Sequence, residues 1–335
     1  MKLGIESFST RNSGLDPLGV LDFAAELGVG GVMFELSPFR SFRDDDLKQI
    51  RHAAEEKGLY LEFGMGSILH WHPMAEKGRQ LLAEAGHDTN VSEAQIVIHH
   101  LHVAKKLGSP ILRCVVGNFL TRDEGHDMVR LADQAVAILR EACCVAEDLG
   151  IRIAVETHAD FTVREHASIL ARVNSPAYGF TVDCANLAFD LDNPLRLAEI
   201  VAPRAWTTHY KNYRIIRTRD GLALENCALD EGEIDIVAIA ELLAKHNPDI
   251  NLNIEIHEQY APFRMDVLRP AFWAKHPSPP GDGLAWYMEK AWNKTPLESL
   301  RSDLPDGAKT WEIENRQIRQ SACWAKKALH HLLAE

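Results

Sequence analysis

The sequence predicts an α/β fold of one kind, a (β/α)8 TIM barrel with an insertion after strand 3 and a C-terminal helical extension. Three observations predict it. Eight short strand-like runs alternate with helical runs along residues 1–294, the rhythm of a parallel sheet built from crossover helices. Charged and imidazole side chains gather at the ends of the later strands, which is where a β/α barrel assembles its active site. No GxGxxG follows the first strand, so an open dinucleotide-binding sheet is disfavoured.

The elements follow in order. A strand at about 3–8 leads into a helix at 16–27, then Gly28 and Gly30-Gly31 precede a second strand ending near Glu35. A helix at 44–57 stops at Gly58, and the third strand, from residue 59, carries Glu62. His70, Trp71 and His72 open a long connection before a helix at 92–107, read as an insertion over the strand-end face. The fourth strand, 111–117, places Arg113 near the barrel, and a helix at 126–149 leads to the central strand, which starts at Ile151. A helix after Asp160, a strand at 178–183, a helix at 194–201 and a strand at 205–210 continue the alternation. Residues 214–233, rich in Gly and charge, are expected to form a lid or binding loop. A helix at 234–245 and an eighth strand at 251–257 complete the count.

Beyond it, residues 259–280 hold Tyr260, Phe263, Arg269, Phe272, Trp273, His276 and Pro277, either a wall of the pocket or a cover for the barrel's outside. A closing helix at 284–292 ends a catalytic domain of residues 1–294. Residues 295–335 then form a polar linker and an amphipathic helix at 311–333, which either packs on the barrel or grips a second subunit.

Composition removes several functions. With 36 Lys plus Arg against 48 Asp plus Glu, the formal charge of −12 argues against general nucleic-acid binding, which depends on neutralising phosphates. Six cysteines without a CxxC pair read as reduced thiols of a cytoplasmic enzyme. No apolar run reaches the ~18 residues of a membrane span, so neither export nor a membrane partner is expected.

The chemistry lies at the strand ends. Side chains at i and i+2 on a strand share a face, so Glu156 and His158 project together, as do His209 and Lys211, and Glu255 and His257. Glu156, Asp183, His209 and Glu255 make a hard oxygen-and-nitrogen ligand set suited to one divalent ion, with Mn²⁺ preferred and Mg²⁺, Co²⁺ or Zn²⁺ admissible. Three crowded carboxylates repel one another unless a cation sits among them. Such an ion would stabilise the oxyanion of an enediolate or enolate, with Lys211 adding positive charge and His158 moving a proton. Glu62, His70, Arg113 and Asn186 are the candidate substrate-binding residues. A non-enzymatic binding or assembly protein would instead leave the four ligands free of metal.

These residues resemble the xylose-isomerase-like barrel superfamily of sugar isomerases and epimerases, through ValGluThrHis at 155–158, ValAspCysAlaAsn at 182–186, ThrHisTyrLysAsnTyr at 208–213 and IleGluIleHisGlu at 254–258. The resemblance assigns one divalent metal to Glu156, Asp183, His209 and Glu255. A closer similarity, through Glu156-Thr-His158-Ala-Asp160-Phe161 and His209-Tyr-Lys211-Asn-Tyr213, is to the 3-oxo-isoapionate decarboxylase and C-glycoside deglycosidase catalytic-subunit branch. It implies a metal-dependent carbon–carbon lyase, a decarboxylase acting on a 3-oxo sugar acid, with Glu156, Glu255, His158 and Lys211 catalytic. The alternatives are a ketose isomerase or epimerase, and the catalytic subunit of an aryl C-glycoside deglycosidase, with or without a small partner subunit. Asn186 departs from the epimerase pattern, where a His commonly binds substrate.

Overall fold

The computed structural model describes residues 1–258, 262–274, 276, 281–297 and 307–334. Its first half runs β1 (Lys2–Glu6), α1 (Pro17–Leu27), β2 (Gly31–Phe34), α2 (Asp44–Glu56), β3 (Tyr60–Ser67), α3 (Glu76–Glu84), α4 (Glu93–Leu107), β4 (Ile111–Val115), α5 (Phe119–Asp123) and α6 (Met128–Leu149). Next come β5 (Arg152–Glu156), α7 (Val163–Val173), β6 (Tyr178–Val182), α8 (Pro194–Val201), β7 (Ala205–Tyr210), β8 (Asn212–Thr218), β9 (Gly221–Cys227), α9 (Ile236–His246) and β10 (Asn251–Ile254). The chain finishes with β11 (Phe263–Met265), α10 (Pro270–Trp273), α11 (Gly281–Trp292) and α12 (Gly307–Ala328).

Local chemistry sets many of these boundaries. Asp16 caps α1 by accepting from the Gly19 amide, Pro17 sits at its first turn, and Gly28 ends it in the left-handed region. Thr162 and Glu165 close a reciprocal capping box at the start of α7. The barrel strands are buried almost throughout, as strands covered on both faces must be.

Eight parallel strands close in the order β1, β10, β7, β6, β5, β4, β3, β2, which is the predicted barrel. Its floor is polar. Glu62 on β3 accepts from Thr207 Oγ1 at 2.6 Å and from the side-chain amides of Asn251 at 2.7 Å and Asn253 at 3.0 Å. Those partners lie on β7 and β10, across the barrel from β3, so these bonds run through the interior and satisfy a carboxylate that is otherwise costly to bury.

Two parts differ from expectation or resolve what the sequence left open. Residues 214–233 are no loop in their first half: β8 and β9 form an antiparallel hairpin in register from Asn212↔Cys227 to Thr218↔Gly221, extended by β11. Its turn is Arg219-Asp220, and Gly221 follows with φ 156°. The tail helix α12 lies within the chain's own fold. Trp311 packs on Phe23 of α1 with ring centroids 5.7 Å apart, Lys326 donates to the Leu27 carbonyl at 2.6 Å, and Arg319 pairs with Glu26 at 2.9 Å. Buried Glu314 accepts from Arg11 at 2.7 Å and Asn12 at 3.0 Å, and also from the Glu258 amide at 3.0 Å. It therefore ties the exit of β1 to the exit of β10. Of the expected polar linker, residues 298–306 lie outside the described residues, as do Tyr260 and Pro277 of the aromatic segment.

Candidate metal centre and cavity

Four neighbouring strands deliver the ligand set. Glu156 is the last residue of β5, Asp183 follows β6, His209 lies near the end of β7 and Glu255 follows β10. All four are buried, and one ligating atom from each lies within 4.8 Å of the others. His209 Nδ1 stands 3.3 Å from Glu156 Oε2 and 3.2 Å from Glu255 Oε2, and its Nε2 faces Met33 Sδ at 2.8 Å.

Two cations flank the set. Arg113, one strand away on β4, donates through Nε to Glu156 Oε2 at 2.6 Å and also through Nη2. Lys211 Nζ lies 2.9 Å from both Asp183 Oδ2 and Glu255 Oε2. Burial disfavours charge on every one of these groups, and their mutual attraction restores it. Against burial, Arg113 holds the Glu156 carboxyl well below its usual range, while Lys211 and His209 do the same for Glu255. Burial also opposes charge on His209, yet Glu156 and Glu255 raise it to about 10. Asp183 behaves differently: burial pushes it up to about 6, with Lys211 opposing and Glu255 and Glu156 adding to the rise.

The set fits a divalent cation. Asp183 Oδ2 and His209 Nδ1 are buried without a well-formed hydrogen bond, though each faces oppositely charged or acceptor atoms at close range. Three carboxylate oxygens and an imidazole nitrogen, buried and within 4.8 Å of one another, are what a hard ion ligated by oxygen and nitrogen requires. The donor atoms do not single out Mn²⁺ among Mn²⁺, Mg²⁺, Co²⁺ and Zn²⁺.

A cavity of about 410 Å³ opens beside the set. Its polar side carries His158, Asn186, Lys211, Glu255 and His257, and its apolar side carries Phe8, Phe119, Phe189 and Phe263. Phe119 and Phe189 stack at 5.1 Å, and Phe263 meets Phe189 edge-on at 4.4 Å. Tyr213, Leu224 and Asn226 reach it from the hairpin, and Met74 from the insertion after β3. A larger cavity of about 670 Å³ beside Arg217 and Trp292 holds none of the ligand set, so chemistry and not size locates the site.

The other sequence candidates divide. Asn186 lines the cavity and donates to Glu156 Oε1 at 3.0 Å; Arg113 is spent on Glu156 and supports a ligand. Glu62, expected at the mouth, is the third residue of an eight-residue strand and lies in the barrel floor with Thr207 and Asn253. His70 is outside the cavity lining, its amide held by Glu93 at 2.9 Å. In the aromatic segment Phe263 and Arg264 line the cavity, whereas Trp273 donates to the Val267 carbonyl and His276 stacks on Phe272 away from it. Glu6 was missed. It is the buried last residue of β1, its acidity suppressed first by burial and further by Glu255 and Glu35, against the influence of His209. The signal that found Glu156, an acid at a strand end, was present there too.

A parallel barrel with a buried three-carboxylate and imidazole set at its strand ends belongs to the class of proteins that coordinate a divalent ion at the mouth of an α/β barrel. The chain belongs to the xylose isomerase-like TIM-barrel family, whose profile matches residues 21–287. It is 22% identical to a 3-oxo-isoapionate decarboxylase from Pectobacterium atrosepticum over 248 residues, which are 72% of this chain and 78% of that protein. In fold it resembles the D-psicose 3-epimerase of Clostridium cellulolyticum H10, with a TM-score of 0.63 and 16% identity across 98% of this chain and 99% of that one. An L-ribulose 3-epimerase gives a TM-score of 0.59 at 14% identity, covering 100% of this chain and 98% of that one. Among the described residues no helix is long and apolar enough to cross a membrane.

Proposed function

We propose that this protein is a divalent-metal-dependent sugar isomerase or epimerase that moves a proton on the carbon beside the ketone of a ketose. One observation carries the reading. Glu156 and Glu255 come from β5 and β10, with β6 and β7 between them, and meet within 3.3 Å of the same nitrogen of His209. Two ionised carboxylates approaching one centre from different strands can take a proton from one side of a substrate carbon and return one to the other. A bound divalent ion held by Glu156, Asp183, His209 and Glu255 would supply Lewis acidity to the ketone oxygen and its neighbouring hydroxyl.

The chain's own groups supply the remainder. Arg113 and Asn186 fix the two oxygens of Glu156, so its carboxylate meets substrate in one orientation. Lys211, buried and cationic, offsets negative charge developing on a substrate oxygen. Phe119, Phe189 and Phe263 exclude water from the far wall of the cavity. The epimerases that share the fold support this reading, which places proton transfer ahead of the decarboxylation expected from sequence.

A second reading has its own support. Lys211 lines the cavity next to the ligand set, positioned to hold a substrate carboxylate, and the curated relative is a decarboxylase of a 3-oxo sugar acid. In that reaction the carbon–carbon bond electrons pass to the adjacent ketone, carbon dioxide leaves, and His158 returns a proton to carbon. The two readings separate in deuterium oxide. Metal-loaded protein is offered a panel of ketoses and 3-oxo sugar acids while carbon-bound deuterium and carbon dioxide are followed together. Deuterium gain on a ketose with its carbon skeleton intact supports the isomerase or epimerase. Carbon dioxide release without exchange on any ketose overturns it in favour of the lyase.

A further inference from the structure

Beyond β5 the chain makes an unusual turn. Ala159 has φ 62°, in the left-handed region that side chains other than glycine seldom enter. The turn brings both its neighbours onto one residue, Gly117, at the exit of β4. His158 Nδ1 lies 2.7 Å from the Gly117 carbonyl oxygen, and Asp160 Oδ2 accepts from the Gly117 amide at 2.7 Å. Gly117 is thus gripped at both its N–H and its C=O. A side chain is excluded there, because a Cβ would stand 2.4 Å from Thr121 Oγ1.

The chemistry of the grip is directional. A carbonyl oxygen only accepts, so the proton of the neutral His158 ring must sit on Nδ1. Nε2 is then left with its lone pair, on a side chain that lines the cavity. Asp160 is fully buried, and its other oxygen accepts from the Phe161 amide at 2.9 Å. Its two oxygens therefore hold two buried amides, one on each side of the grip.

We propose that Asp160 is a positioning residue which, acting through Gly117, fixes His158 as the Nδ1–H tautomer and leaves Nε2 facing the cavity as a hydrogen-bond acceptor for a substrate hydroxyl. The role of His158 in turnover rests on the proposed function, whereas the tautomer does not. Asp160 touches neither substrate nor metal ligand; its effect passes through the backbone of another strand.

The test is nitrogen NMR on full-length protein labelled with ¹⁵N-histidine, with His158 assigned by the signals missing from His158→Gln. The wild-type ring is expected to show a protonated Nδ1 and an unprotonated Nε2; an Nε2–H tautomer overturns the proposal outright. In Asp160→Asn one carboxylate oxygen becomes an amide N–H₂ that confronts either the Gly117 or the Phe161 amide. The ring should then populate both tautomers, and kcat should fall about 10- to 100-fold with KM and metal affinity within about twofold. Ala159→Gly removes only one methyl group, leaves Asp160 and His158 in place and relieves the left-handed backbone, so it folds even where Asp160→Asn does not. It should broaden the tautomer distribution without lowering thermal stability. An unchanged tautomer in the variants overturns the role of Asp160. Absence of turnover on every sugar tested counts against the proposed function and leaves the tautomer result standing.

Discussion

His100 offers a measurable consequence of burial far from the cavity. The ring lies on α4, 1% exposed, edge-on to Phe42 at 6.0 Å and stacked on Phe63 at 6.4 Å. Nδ1 bonds the Ile96 carbonyl at 2.9 Å, while Nε2 is buried without a partner, so the neutral Nδ1–H form suits the site and the cation does not. Burial lowers its pKa from 6.5 to about 4. The unfolded chain therefore binds the proton first. Stability from this group is present above pH 6.5, is lost as pH falls, and stops falling below pH 4. Between pH 7 and pH 5 the loss is about 2 kcal/mol, approaching about 3 kcal/mol in stronger acid. His100→Leu fills a similar volume and cannot titrate. Urea unfolding of both proteins, stripped of metal by a chelator, should show the wild type losing about 2 kcal/mol more than the variant on going from pH 7 to pH 5. Equal losses would refute the assignment of this acid sensitivity to His100.

Two further outcomes are expected. Calorimetric titration of metal-free protein should find one divalent ion per chain, and Asp183→Asn or His209→Ala should weaken it by more than the roughly 10- to 100-fold that a supporting group is worth. Full affinity in both would remove the centre. Glu314→Ala should destabilise the fold by about 3 kcal/mol, because it strips a buried carboxylate from Arg11 and an acceptor from the Glu258 amide. A thermal midpoint equal to the wild type's would show that α12 does not brace the barrel.

Strand ends were legible because two signals coincide there. An apolar run fixes the strand, and an acid or imidazole at or next to its last position, as at Glu156 and His209, lies at the mouth end of the barrel. Depth along a strand was less legible. Glu62 shares the inward face with residues of the mouth but lies several residues lower, and only the length of β3 reveals this. The hairpin was hidden by its charges: Arg214, Arg217, Arg219 and Asp220 read as loop, although Ile215, Leu222 and Leu224 alternate beneath them. The docking of α12 was beyond sequence, since an amphipathic helix states that it has a partner without saying which. Asp160 and Ala159 belong to the same category, because a hydrogen bond to another strand's backbone leaves no trace in residue spacing.

The grip of Glu314 on the exits of β1 and β10 bears on how the chain is made. Arg11 leaves the ribosome 303 residues before its carboxylate partner. At about 5–20 residues per second the interval is roughly 15–60 s. Until residues 251–254 emerge, well before Glu314, β1 lacks β10, its neighbour in the closed sheet, and leaves a backbone edge unpaired. Nascent chains should therefore engage holding chaperones at least until β10 emerges, and slowing translation should lengthen that engagement in proportion.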